Sequence, residues 1–154
     1  MILEKEVEQK IARTLRERLG DDASVVIVGG WDVITSPDAA QERPGEAARV
    51  LVSVGAPVFD TYVAPTINLS VSIAIAVRRE LDASGARFER VLGAVEDFCL
   101  SLQLSLDALE SVSTDVFRAA GASADGGGAP MFDGALEAWT VTRTLTLKGT
   151  VLQP

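Results

Sequence analysis

One stretch limits what this chain can fold into more than any other. From Ile67 to Val77 an apolar residue stands at every second position. Ile67, Leu69, Val71, Ile73, Ile75 and Val77 alternate with Asn68, Ser70, Ser72, Ala74 and Ala76, and Arg78 closes the run. A period of two gathers the apolar side chains on one face of an extended strand and scatters them around a helix. Eleven residues of strict alternation therefore predict a long strand with one apolar face. Its other face is small and weakly polar. Such a face suits light cover or packing against a neighbouring subunit.

The remaining elements are arranged around that strand. Leu3, Val7, Ile11, Leu15 and Leu19 recur every four residues, which predicts an amphipathic helix over residues 2–19. Glu4, Glu6 and Glu8 sit at its positive end and Arg13, Arg16 and Arg18 at its negative end, so both ends complement the helix dipole. Gly20 is placed to end it. Short strands are expected at Val25–Val28 and Val50–Val54. Ser84 is a candidate N-cap for a second helix, whose apolar side carries Phe88, Val91, Leu92, Val95, Phe98, Cys99 and Leu102. Residues 103–111 continue as helix or loop, and Val112–Phe117 is a weaker strand candidate. In the last segment Trp139, Val141, Leu145, Leu147 and Val151 alternate with a threonine row, Thr140 to Thr150. Arg143 interrupts the apolar side, so it lies beyond the core edge or meets an acid.

The expected fold is α+β: an antiparallel (mixed) sheet of about four to five strands packed against two main helices. Residues 1–154 form a single domain, with long loops at about 29–48 and 119–135. The second loop holds Gly126-Gly127-Gly128 and is expected to be mobile. Aromatic residues are only 5% of the chain, so the core must rest on Val, Ile, Leu and Ala.

The chemistry-bearing residues exclude more than they suggest. There is no histidine, which removes the commonest general base and metal ligand. Cys99 is the single cysteine, too few for a thiolate zinc site, and its apolar setting predicts a buried, inert thiol. The glycines near residue 126 lack the Lys-Ser/Thr ending of a phosphate loop. Glu96 and Asp97 are helix neighbours that point to different sides, so a solvated face is expected there and not an acid/base pair. The threonine row resembles ice-binding surfaces, but one strand is no array, and an ordinary polar sheet face is the simpler expectation. No enzyme activity, cofactor or metal is expected.

Charge narrows the partners. The net charge is −8. Residues 91–137 hold eight acids against the single base Arg118. No basic cluster outside the first helix could neutralise a row of phosphates, so no sequence-specific nucleic-acid binding is expected. The chain opens on acids instead of a basic, apolar leader, and no run approaches the roughly 20 apolar residues needed to span a bilayer. A soluble protein with no membrane partner is expected.

Four features together resemble a known family. They are the helix from Ile2 to Leu19, and the central strand from Ile67 to Arg78 running through a short turn into a helix. The third is that helix's pattern Arg87-Phe88-Glu89-Arg90-Val91-Leu92-Gly93-Ala94-Val95-Glu96-Asp97-Phe98, and the fourth a long final strand, Trp139 to Val151, after a glycine-rich loop. The layout is similar to the tail terminator (tail completion) proteins of long-tailed bacteriophages and prophages, and the likeness covers most of the chain. The resemblance implies a structural virion protein that caps the tail tube as a ring, most often a hexamer, and forms the head–tail joining surface. Its partners would be itself, the tail tube protein and head–tail connector proteins. It would be made in the bacterial host cytoplasm and end in the virion tail. The acidic 91–137 stretch would then line a lumen that DNA passes without sticking. The alternatives are a non-catalytic oligomeric adaptor or scaffold, another neck component, or a small enzyme. Candidate assembly residues are Trp31, Phe59, Tyr62, Asp125, Asp133, Thr142, Thr144 and Thr146.

Overall fold

The computed structural model describes residues 3–27, 48–59, 65–82 and 84–152. Helix α1 spans Leu3–Leu19. A single 3-10 turn leads from it into strand β1, Ser24–Ile27. Strands β2 (Ala48–Val54), β3 (Val58–Phe59) and β4 (Thr66–Arg78) follow. Helices α2 (Ala86–Leu104) and α3 (Leu106–Val112) come next, then strands β5 (Phe117–Gly126), β6 (Met131–Asp133) and β7 (Ala138–Val151).

The strands form one mixed sheet of seven, with the order β1-β2-β4-β7-β5. Only β1 and β2 are parallel; every other pair is antiparallel. β4 is the spine. Its alternation holds along its whole length, with Ile67, Leu69, Val71, Ile73, Ile75 and Val77 all buried. It pairs with β7 from Thr66↔Thr150 to Arg78↔Ala138. β3 resumes the β2 side of β4 after Gly55–Pro57, and β6 resumes the β5 side of β7 after residues 127–130. The α+β class is as expected, with two or three more strands and one more helix among the described residues than the sequence suggested.

One continuous core joins the three helices to one face of the sheet. α1 buries Val7, Ile11, Ala12, Leu15 and Leu19. α2 buries Val91, Val95, Phe98, Cys99 and Leu102. Two polar contacts fasten α1 to the sheet edge. Arg16 donates to the Val25 carbonyl at 2.9 Å, using an acceptor on the outer side of edge strand β1. Glu8 is 2% exposed, and its Oε1 accepts from the Val54 backbone N–H at 2.9 Å. The described β1–β2 ladder ends at Val52, so this N–H lies past the last described β1 partner. A buried N–H left unpaired costs about 1–3 kcal/mol. Glu8→Leu is therefore expected to lower stability by that amount in urea denaturation, while Glu8→Gln, which keeps an acceptor, retains most of it.

Several local expectations are corrected. Ser84 is not the main N-terminal cap of α2. Gly85 takes a left-handed conformation (φ 76°) just before the helix. The Asp82 carboxylate accepts from the backbone N–H groups of Arg87 and Phe88, while Ser84 reaches only Ala86. The strand expected at Val112–Phe117 is also displaced. Val112 ends α3, and Thr114 Oγ1 accepts from the N–H groups of Val116 and Phe117, which turns the chain into β5. Residues 103–111 resolve into the end of α2, a break at Ser105 and α3, whose first turn Ser105 caps through Ala108 N–H.

The largest correction concerns residues 119–135. They are not a long loop: β5 runs to Gly126 and β6 covers Met131–Asp133. Backbone pairing with β7 supplies the order that small side chains there do not, with register irregularities at Ala119/Gly121 and Ala124/Gly126. The other expected loop, residues 29–48, lies outside the described residues except for Ala48, which opens β2.

Candidate assembly surface

All three helices lie on one face of the sheet, so its other face has no described helix over it. That face is built from rows that cross the strands. Leu51, Ala74 and Thr142 form one row, and Ser53, Ser72 and Thr144 the next. Ser70 faces Thr146, and Thr146 faces Ser123 of β5. Apart from Leu51, these side chains are short and leave a low surface across the middle of the sheet.

The eight candidate residues do not make one site. Trp31 and Tyr62 lie outside the described residues. Thr142, Thr144, Thr146 and Asp125 come together where β7 meets β5. Two of the hydroxyls bond to β5: Thr144 Oγ1 donates to the Gly126 carbonyl at 3.0 Å, and Thr146 Oγ1 to Asp125 Oδ2 at 2.6 Å. These bonds clamp β5 to β7. Asp133 lies six β7 residues from the partner of Gly126, roughly 20 Å along the strand. It accepts from the N–H groups of Ala135 and Leu136 and holds the β6–β7 turn. Asp125 and Asp133 are thus separate structural acids and not a shared acidic lining. Phe59 is exposed on β3, on the far side of β4 from β7.

The charged residues that stood out in the sequence tie elements together. Arg143 meets an acid: Glu96 Oε1 accepts from its guanidinium at 3.0 Å, and the Gly128 carbonyl accepts from it at 2.8 Å. This joins α2, β7 and the chain between β5 and β6. Arg90 pairs with Asp22 at 3.1 Å and holds that carboxyl below its ordinary range by hydrogen bonding. Cys99 lines an apolar groove of about 420 Å³ with Leu100, Gln103, Ala124 and Gly127. Burial pushes its thiol up to about 11. The folded state therefore keeps the proton where an unfolded thiol, near 9, has lost it. The contribution of Cys99 to stability is intact below pH 9 and declines as pH rises from there towards 11. A thiol reagent at pH 8 is expected to label the native protein slowly and the urea-unfolded protein at once. Equal rates would contradict the burial.

A polar cleft of about 400 Å³ lies between α1 and the α3–β5 connection, with Glu6, Lys10, Arg13, Glu110, Asp115 and Arg118 in its walls. Acids and bases balance there. Among the described residues no group of three His, Cys, Asp or Glu side chains is placed to hold a metal ion, and no helix is long and apolar enough to cross a membrane.

Compared with known proteins, the chain matches no family model and no curated protein.

Sequence reasoning missed two exposed apolar patches. Phe132 and Trp139 meet on the β6–β7 hairpin, whose Met131 and Leu136 are also exposed, Met131 on the other sheet face beside Thr140, and Leu100, Leu104 and Leu106 stand out from the end of α2 and the start of α3. Trp139, assigned to the core face, is 40% exposed and packs edge-on against Phe132 at 5.4 Å. It lies at the end of the sheet, where Ala138 is the buried residue. A signal for the second patch was present, since Leu100 and Leu104 are four apart and off the buried stripe of α2.

Proposed function

We propose that this chain is a structural assembly protein of a long-tailed phage or prophage, capping the tail tube as a homo-oligomeric ring and presenting the surface that joins the head. The observation that carries the reading is the sheet face of small residues and threonines over which no described helix lies. The resemblance in element order supplies the kind of assembly. The exposed apolar patches add support, since monomeric proteins seldom expose contiguous apolar clusters without a binding role.

Deleting the coding sequence from the phage or prophage that carries it tests this reading. Micrographs are expected to show tails of uncontrolled length, not joined to heads. Normal virions would end the reading and favour an oligomeric adaptor outside the virion. Tails of normal length without heads would favour a different neck component.

A further inference from the structure

β1 and β2 are parallel neighbours, so the chain that joins them must return across one face of the sheet. That chain is residues 28–47, which lie outside the described residues. A second crossover is described. β4 and β5 are parallel, since each runs antiparallel to β7, and α2 and α3 carry the chain between them over the helix-bearing face. In the order β1-β2-β4-β7-β5, both connections step in the same direction. β2 is antiparallel to β4, so the two strand pairs point opposite ways. Two such crossovers share one hand only when they lie on opposite faces. Crossovers between parallel strands are right-handed in about 98% of cases. The hand of the sheet agrees. The Ser70 carbonyl accepts from Gly55 N–H and so points towards the β2 side, while the Ser70 side chain stands on the helix-free face. For an L-residue, that orientation makes the path through α2 and α3 right-handed. It puts a right-handed path from β1 to β2 on the helix-free face.

The burial of one cation points to the same place. Val50, Val52 and Val54 face the helices, so Arg49 projects from the other side of β2, yet it is only 4% exposed. Its neighbours across the strands are Ser24 and Ala76, and beyond Ala76 stands Thr140. Side chains this short cannot enclose a guanidinium, and none is an acid. A charge out of water is tolerated only against an opposite one. Residues 60–64 enter β4 near Thr66, roughly 33 Å along that strand from Ala76. Residues 28–47 lead straight into Ala48 and Arg49, and they hold Asp32, Asp38, Glu42 and Glu46 against the single base Arg43.

We propose that residues 28–47 seat on the helix-free face over β1 and β2 and set one of their carboxylates against Arg49. Val26 and Leu51 stand side by side on that part of the face, an apolar surface for Trp31, Val33 and Ile34 to pack on. The surface left for another protein is then the β4–β7–β5 part, where Ser70 and Thr142 are exposed. This placement holds whether or not the chain assembles on a phage tail.

The test puts the photoreactive p-benzoylphenylalanine in place of Ser72, on the helix-free face beside β2, and in a second chain in place of Glu17, exposed on α1. On irradiation the Ser72 position is expected to cross-link to a peptide from residues 28–47 of the same chain, keeping the monomer mass on a denaturing gel. The Glu17 position is expected to reach none of them. Links to that stretch from Glu17 would put the crossover on the helix face and overturn the proposal. So would Ser72 links that join two chains, which give the face to a second copy, or no link from Ser72 to residues 28–47. The ion pair is tested by Asp32→Asn, Asp38→Asn, Glu42→Gln and Glu46→Gln, made singly. One of them is expected to lower the folding equilibrium constant about 100-fold by leaving a buried guanidinium without its acid. In a chain carrying Arg49→Met the same change is expected to matter less than about threefold. Four small and equal effects would overturn the pairing.

Discussion

Gly149→Val is expected to lower stability by about 3 kcal/mol or more, a fall of roughly 6–12 °C in the unfolding midpoint for a chain of this length. The cause is contact on both sides of one missing side chain. A Cβ at residue 149 would lie 2.3 Å from the Arg118 carbonyl oxygen and 2.5 Å from the Phe117 ring. Phe117 is fully buried and the Arg118 oxygen is backbone, so neither can move without disturbing β5. Gly128→Ala is the control: nothing lies within 4 Å of that Cβ position, and a change within about 0.5 kcal/mol is expected. Calorimetry of the two variants checks both. Equal midpoints would mean that β5 and β7 do not approach as described.

Phe98→Ala carries the other large effect. Phe98 is fully buried in the stripe by which α2 packs on the sheet, and the Arg18 guanidinium of α1 lies 5.6 Å from its ring centre. Removing the ring leaves a cavity where two helices and the sheet meet. A loss of about 3–5 kcal/mol is expected in urea denaturation. Leu100→Ala, two residues away on the exposed side of the same helix, is expected to change stability by less than about 1 kcal/mol. Similar losses for both would place α2 in the wrong rotation about its axis.

These two sites show where the sequence was legible and where it was not. β4 and α1 could be placed almost to the residue, because a single apolar period decides each and the opposing faces are polar or small. The apolar stripe of α2 was equally plain, and Phe98 falls on it. β5 was missed because its residues from Ala119 to Gly126 carry no apolar alternation; its order comes from hydrogen bonds to β7, which lies later in the chain. The same absence of side-chain signal hid Gly149, whose role is to let Phe117 and β5 come close. The cap at Asp82 was missed because it depends on the left-handed turn at Gly85, a backbone conformation that the residues before the helix do not announce.

The candidate surface was legible only in part. The threonine row was seen, and Thr144 and Thr146 prove to bind β5 instead of presenting free hydroxyls. Asp125 and Asp133 were grouped by composition, but each is occupied by its own neighbours, on Thr146 and in the hairpin turn. The aromatic patch depends on pairing β6 with the start of β7, which brings Phe132 to Trp139 and sets both beside Arg79. No local pattern in residues 119–135 announces that pairing.

The solution mass of the purified chain, by light scattering after gel filtration and with negative-stain images of the same fractions, tests assembly most directly. A hexamer with six-fold rings is the expected result. A monomer at every concentration, forming no ring even when tail tubes are supplied, would contradict it.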